Sequence, residues 1–121
     1  MENLDLRCAE LGKQLSEKAG EKLLTDALAV LEEQGVYAFF LYLKARGGDE
    51  GSKVSEECHT FLKTTPKEHP LLANSKDDVF SKLQKLANDL DSLLLAKDLL
   101  RQGLVYGRYH AKSAVADGGS R

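Results

Sequence analysis

Proline placement is the feature that most constrains this chain. Only two of its 121 residues are prolines, Pro66 and Pro70, and both lie between Thr64 and Leu72. Because proline lacks a backbone N–H and clashes with the preceding helical turn, long helices are permitted on both sides of this segment. The sequence therefore predicts an all-α fold with an irregular, solvent-facing connection over residues 64–74.

Before this connection, apolar residues recur every three or four positions, which is typical of helices with one buried face. The spacing predicts four helices, over residues 2–18, 21–34, 36–46 and 52–62. The glycine-rich residues 47–51 are predicted to form a turn, with Ser52 capping the fourth helix. Residues 36–46 are apolar all round and predict a central helix, although their aromatic residues also favour a strand.

After the connection, Ser75 is the predicted N-cap of a fifth helix that begins at Lys76. Helical spacing continues to Asn88-Asp89, where either a sixth helix begins or the fifth continues. The expected fold is a single compact bundle of five to six helices over residues 1–116, with a long C-terminal helix. Residues 117–121 are expected to form a disordered tail, because they have nothing to bury.

Composition fits one globular domain, since apolar residues make up 42% of the chain and charged residues 30%. The formal net charge of −2 conceals an asymmetry between the two halves. Residues 1–60 hold 12 acidic and 7 basic side chains, whereas residues 61–121 hold 7 acidic and 10 basic ones. Any site for a polyanion must therefore be local, because the chain as a whole is not basic.

The two cysteines, Cys8 and Cys58, are too few for a disulfide framework and show no C-x-x-C spacing. We interpret them as free thiols in a reducing compartment, which predicts a cytoplasmic location. The acidic N-terminus lacks the basic-then-apolar order of a signal peptide, and no apolar run is long enough to span a membrane. No membrane partner is expected.

Four basic residues of the last predicted helix are separated by 4, 7 and 4 positions: Lys97, Arg101, Arg108 and Lys112. At about 100° per residue they fall within about 60° of one another, on one face about 22 Å long. We call this set the basic stripe. Its spacing suits contact with a nucleic-acid phosphate backbone, with Tyr109 and His110 nearby for stacking or hydrogen bonding. A solvated helix face is the alternative interpretation.

The same helix carries a face of small residues, which fall within about 40° of each other: Ala96, Gly103, Gly107 and Ala114. A glycine inside a helix costs about 1 kcal/mol relative to alanine, so two of them predict the close approach of another helix. The alternative is a kink or fraying between the two glycines. Apolar residues also lie beside the basic stripe, which implies burial by more than one neighbour, including another chain.

Sequence motifs for catalysis are missing. His59, His69 and His110 are scattered and belong to no H-E-x-x-H pattern, so no metal site is predicted. No phosphate-binding glycine motif or nucleophile elbow occurs, so no cofactor is predicted. A small helical enzyme would need a pocket of convergent polar groups that the sequence does not indicate, and we expect no enzymatic activity.

Two segments resemble a known family. The first is the run LAVLEEQGVYAFFLYLKARG at residues 28–47, in which leucines precede a glycine and an apolar helix that ends in basic residues and glycine. The second is the leucine-rich and basic stretch at residues 93–112. Together with the order of helices they resemble the small subunit of type III CRISPR–Cas effector complexes, the Cmr type in particular, over residues 22–116.

This resemblance implies an all-helical, non-catalytic protein of antiviral defence that stacks as a filament alongside guide RNA. The partners it implies are guide and target RNA, other copies of the chain, and the backbone and large subunits of the complex. It places RNA contacts on the cations of the matching helices, which are Lys97, Arg101, Arg108 and Lys112, and on Lys44 and Arg46 after the aromatic segment.

A function of another class fits the same residues. In a helical protein–protein adaptor or homodimeric bundle, the apolar faces of the last helix would bind a partner and the cations would face solvent. The two interpretations differ in whether RNA binding depends on the basic stripe and on salt concentration.

Overall fold

The computed structural model describes the backbone of residues 2–118 and the side chains of residues 2–114. Within these residues the chain forms six helices and no strand, so the predicted all-α fold is confirmed. The helices are α1 (Leu4–Lys18), α2 (Glu21–Gln34), α3 (Val36–Arg46), α4 (Gly48–Thr64), α5 (Val79–Leu86) and α6 (Leu90–Gly118).

The first four helices pack with α6 into a closed ring. Around this ring α1 lies between α4 and α6, and α6 in turn packs against α2. Helix α3 completes the ring between α2 and α4, while α5 packs against α3 and α6. The aromatic residues Phe39 and Phe40 of α3 are fully buried, as is Leu43 one turn later. The strand interpretation of this segment is therefore wrong. The predicted central position is also wrong, because Tyr37 and Leu41 on the outer face of α3 are 44% and 48% exposed.

Short connections join the first three helices. Asn3 caps α1, since its side-chain oxygen accepts the backbone N–H of Leu6 at 3.0 Å. Gly35 alone separates α2 from α3, with a φ of 101° that other residues rarely adopt. Its N–H donates to the carbonyl of Leu31, and its own carbonyl accepts the N–H of Phe39. One residue thus ends one helix and begins the next.

The predicted glycine turn at residues 47–51 is wrong, because α4 begins at Gly48 rather than after Ser52. A Cβ atom on Gly47 would lie 2.5 Å from the Cα of Gly51, and one on Gly51 would lie 2.6 Å from the carbonyl oxygen of Leu43. The glycines therefore allow α3 and α4 to meet at a sharp corner without a loop.

Helix α5 begins three residues later than predicted. Asp78 is its N-cap, and its carboxylate accepts the backbone N–H of Ser81 at 2.8 Å. Ser75 does not cap α5, and its carbonyl accepts a hydrogen bond from Lys82 instead. A break follows, and the Asp89 carboxylate accepts the N–H and hydroxyl of Ser92, so α6 is a separate helix.

The C-terminal boundary also differs from the prediction. Helix α6 runs to Gly118, so the backbone of residues 117 and 118 is helical rather than part of a tail. Residues 119–121, which complete the predicted disordered tail, lie outside the residues that the structure describes.

Helices α1 and α6 run parallel and touch through glycine. Cys8 contacts the carbonyl of Leu99, while further along both helices Leu11 packs against Gly103. A Cβ atom on Gly12 would lie 2.5 Å from the Cβ of Tyr106 and only 2.7 Å from the backbone N of Gly107. We call the packing of Gly12 against Gly103 and Gly107 the glycine contact. It brings the two backbones together at a distance that side chains would prevent.

The irregular segment at residues 65–78 is held mainly by polar contacts. The Arg7 guanidinium donates to the hydroxyl of buried Thr65 at 2.8 Å and pairs with Glu2 at 2.7 Å. The other carboxylate oxygen of Glu2 accepts the backbone N–H of Lys67 at 2.8 Å. Buried Leu72 adds one apolar anchor. The start of the chain thus fastens the beginning of this segment to the bundle.

A buried amine fastens the end of the segment. Lys82 is only 4% exposed. Its Nζ lies 3.0 Å from Nε2 of His59 and 3.0 Å from the carbonyl oxygen of Ser75. When Lys82 is charged it can only donate, so this contact then requires a neutral His59 that accepts at Nε2. Burial, and then the charges of Lys82 and Lys63, lower the pKa of His59.

The first prediction concerns the glycine contact. The substitution Gly12→Ala should lower the free energy of unfolding by about 1–3 kcal/mol, because its Cβ would overlap backbone atoms of α6 that cannot move alone. Gly103→Ala should cost less, since its Cβ would meet the flexible end of Leu11. Gly20→Ser is the control, because that position has open space and serine caps helices well. If urea unfolding gives Gly12→Ala the same free energy of unfolding as the parent, the glycine contact is contradicted.

The second prediction concerns His59. Since folding lowers its pKa, the stabilisation from neutral His59 should be complete above its unfolded pKa of about 6.5 and decline as pH falls through the folded value. Urea unfolding should be measured at pH 7.5 and at pH 5, which are ~1 unit above and ~1.5 units below that pKa. From the higher to the lower pH, the free energy of unfolding should fall less for His59→Gln than for the parent. Exposed His69→Gln is the control and should behave as the parent does. An equal pH dependence in all three proteins would contradict this role.

Candidate nucleic-acid interface

The basic stripe lies along the seam between α6 and α2. These helices run antiparallel, because Gly107 approaches Leu24 in the first half of α2 whereas Lys97 reaches the opposite end of that helix. There the ammonium of Lys97 donates to the carbonyl of Glu32 at 3.2 Å. That carbonyl belongs to the last turn of α2, where backbone acceptors have no partner within the helix. Lys97 therefore stabilises the end of α2 as well as contributing charge.

None of the four cations forms an ion pair with another side chain that the structure describes. Lys97, Arg101 and Arg108 are partly buried, and Lys112 is exposed. The ion pairs among the described side chains involve other residues, on α1, α2 and α5 and the segments next to them. The four cations can therefore interact with an external anion.

Arg108 is the most informative member of the basic stripe. Its Nε atom is buried and has no hydrogen-bond partner among the described groups. An unpaired buried donor costs about 1–3 kcal/mol, and more when it belongs to a charged group. Because Nε itself is buried, a bound anion would contact the guanidinium through its terminal nitrogens at the adjacent cleft.

A cleft of about 210 Å³ opens beside Arg108 at the C-terminal end of the basic stripe. Its walls also include Val105, Tyr109 and Lys112 from α6, together with Glu21 from the first turn of α2. Tyr109 is 69% exposed. The cleft thus places two cations and one accessible aromatic face next to each other.

Two exposed leucines extend the face of the basic stripe toward the start of α6. Leu90 is 66% exposed and Leu94 is 50% exposed. At about 100° per residue they lie on the same side of the helix as Lys97 and Arg101. Helical spacing places Leu94 beside the basic residues, but it does not show that Leu94 is exposed while the leucine on either side of it is partly buried.

The cations of α3 are directed elsewhere. Lys44 and Arg46 are both exposed near the end of α3. The ammonium of Lys44 lies 5.4 Å from the centre of the Phe80 ring on α5, and Tyr37 packs edge-on against the same ring. No described contact joins these residues to the α6–α2 seam. The structure therefore divides the six candidate RNA contacts into two groups.

The small-residue face of α6 is only partly in contact with a neighbour. Ala96, Gly103 and Gly107 are buried, whereas Ala114 is exposed because it lies beyond the α1 contact. Sequence analysis missed Gly12, the partner of both glycines. A signal was present, since Gly12 lies beside the apolar positions 4, 8, 11 and 15 of α1, at a helix-interior position where glycine is costly.

Metal-binding and nucleophilic chemistry find no site in the described residues. No group of three or more histidine, cysteine or acidic side chains there could hold a metal ion. Burial, followed by the charge of Asp5, raises the pKa of Cys8 to about 11, and burial also raises the pKa of Cys58. Both thiols are therefore protonated near neutral pH and poorly nucleophilic. None of the described helices is both long enough and apolar enough to cross a membrane.

Comparisons with protein-family models, with curated proteins and with solved structures find no match to this chain. The geometry of the α6–α2 seam is therefore the basis on which a function is proposed.

Proposed function

We propose that this chain is a non-catalytic RNA-binding subunit whose basic stripe follows a phosphate backbone along the α6–α2 seam. The observation that carries the proposal is the unpaired Arg108 within a row of cations that no described acidic side chain neutralises. The face is about 22 Å long, so its four cations can contact several successive phosphates of one strand. Contacts of this kind give weak, sequence-independent and salt-dependent binding.

The narrower proposal is a small subunit of a type III CRISPR RNA-guided effector complex of the Cmr type. The resemblance of residues 28–47 and 93–112 supports it, and so do the all-α architecture and the long last helix. The partners would then be guide and target RNA, further copies of this chain, and the backbone and large subunits. Two buried free thiols suit the reducing cytoplasm that this role requires.

A protein–protein adaptor is the second candidate, and exposed Leu90 and Leu94 favour it. A partner helix with apolar residues at one end and acidic residues at the other would cover both leucines and the basic stripe. We favour RNA because the cations extend over most of α6, whereas the leucines occupy only its first turns. Leucine also adds nothing to phosphate binding.

The third prediction tests the charge dependence of RNA binding. Alanine substitution of Arg101 or Arg108 should weaken binding about equally for any sequence and lower the slope of log K against log salt by roughly 0.7–0.9. Charge reversal at both positions (Arg101→Glu and Arg108→Glu) should abolish binding while the helical circular-dichroism signal is kept. Fluorescence anisotropy at a series of salt concentrations, beginning at low salt, measures the RNA affinity and its salt slope.

The control for this experiment is charge reversal at Lys13 and Lys53, which are exposed on α1 and α4, away from the seam. It changes the net charge by the same amount and should reduce binding far less. If the Arg101 and Arg108 reversal binds RNA as tightly as the parent with the same salt slope, the basic stripe is a solvated face. The adaptor function would then replace the one proposed.

A further inference from the structure

The C-terminal end of the basic stripe differs from the rest because charge and an aromatic face occur together there. Arg108 and Lys112 are one helical turn apart on α6, and Tyr109 lies between them in the chain on the wall of the same cleft. The remaining cations, Lys97 and Arg101, have no exposed aromatic residue among their described contacts.

We propose that this cleft binds an unpaired nucleotide of single-stranded RNA, with a phosphate on Arg108 and Lys112 and the base stacked on Tyr109. The inference rests on the proposed RNA-binding function and names the form of RNA that this part of the site prefers. Bases inside a duplex are already stacked on their neighbours, so only an unpaired base can offer its face to a tyrosine ring.

The charges around the cleft favour a phosphate. Arg108 contributes a guanidinium whose Nε lacks a partner, and Lys112 contributes an exposed ammonium without an ion pair among the described side chains. Among the described residues of the cleft wall, Glu21 in the first turn of α2 is the only acidic one. Because Glu21 is the first residue of α2, the positive end of the α2 dipole also lies at the cleft and offsets part of the Glu21 charge. The N-cap residue Gly20 has no side chain that could cap the backbone N–H groups there.

The size and shape of the cleft favour part of a strand over a free small molecule. Its volume of about 210 Å³ is below the roughly 300–1,000 Å³ that is usual for small-molecule sites. A phosphate and the edge of one nucleotide fit such a space while the strand continues along the basic stripe toward Arg101. The 69% exposure of Tyr109 leaves its ring accessible from outside the cleft.

The experiment compares single-stranded and duplex RNA on the full chain. Fluorescence anisotropy would use a labelled oligo(U) of about 12 nucleotides, a length within the range that single domains cover, and a duplex of the same length. Tyr109→Ala should weaken binding of the single strand by roughly 5- to 150-fold, as expected for the loss of one base–aromatic stack. Its affinity for the duplex should stay within about twofold, since the phosphate contacts remain.

Two further substitutions make the comparison specific for stacking. Tyr109→Phe keeps the ring and should bind like the parent, whereas Tyr109→Leu keeps apolar bulk without a π face and should behave like Tyr109→Ala. Because Tyr109 is largely exposed, these variants should fold as the parent does, which thermal melts will check.

The outcomes separate this inference from the function on which it rests. If Tyr109→Ala changes neither affinity, or changes both equally, while Arg108→Ala and Lys112→Ala weaken both RNA forms, the stacking site is overturned and RNA binding by the basic stripe stands. If the Arg108 and Lys112 variants bind both forms like the parent, the stacking site and the proposed function are both overturned.

Discussion

The backbone approach of α1 to α6 is the contact on which the rest of the structure depends. Gly12 sits against Gly103 and Gly107 so closely that a single methyl group on Gly12 would overlap the backbone of the other helix. This closeness fixes the register of two parallel helices, and the hydroxyl of Tyr106 can then reach Asp5 at 2.8 Å. Interiors are packed too densely to absorb a shift of a whole turn, so the contact has one well-defined register.

The orientation of α6 follows from that contact and determines where its charges lie. The small residues of α6 pack against α1, and neighbouring apolar residues of α6 pack against α2. The basic stripe therefore lies at the edge of the α6–α2 seam. Lys97 stabilises the C-terminal end of α2, and the cleft beside Arg108 lies at the other end of that helix. The same packing therefore gives α6 both its stability and a row of accessible cations.

Periodicity and helix-ending glycines were sufficient to predict α2 and α3 with their observed bounds. The start of α4 could not be predicted, because Gly47 and Gly51 have the composition of a turn but are required by a close helix crossing that involves distant atoms. Ser75 and Asp78 are both good N-caps, and the structure uses Asp78, while the carbonyl of Ser75 accepts a hydrogen bond from Lys82. The unpaired state of Arg108 likewise depends on its three-dimensional surroundings.

The most direct test of the account is an NMR titration of this 13.3 kDa protein with single-stranded RNA. Backbone amide signals of residues 97–112 on the α6–α2 seam should shift in a saturable way, and the shifts should weaken as salt is raised. Signals of the exposed face of α1, including Lys13 and Glu17, should stay in place. Saturable shifts confined to α1 or α3, or no saturable shift at low salt, would contradict RNA binding by the basic stripe.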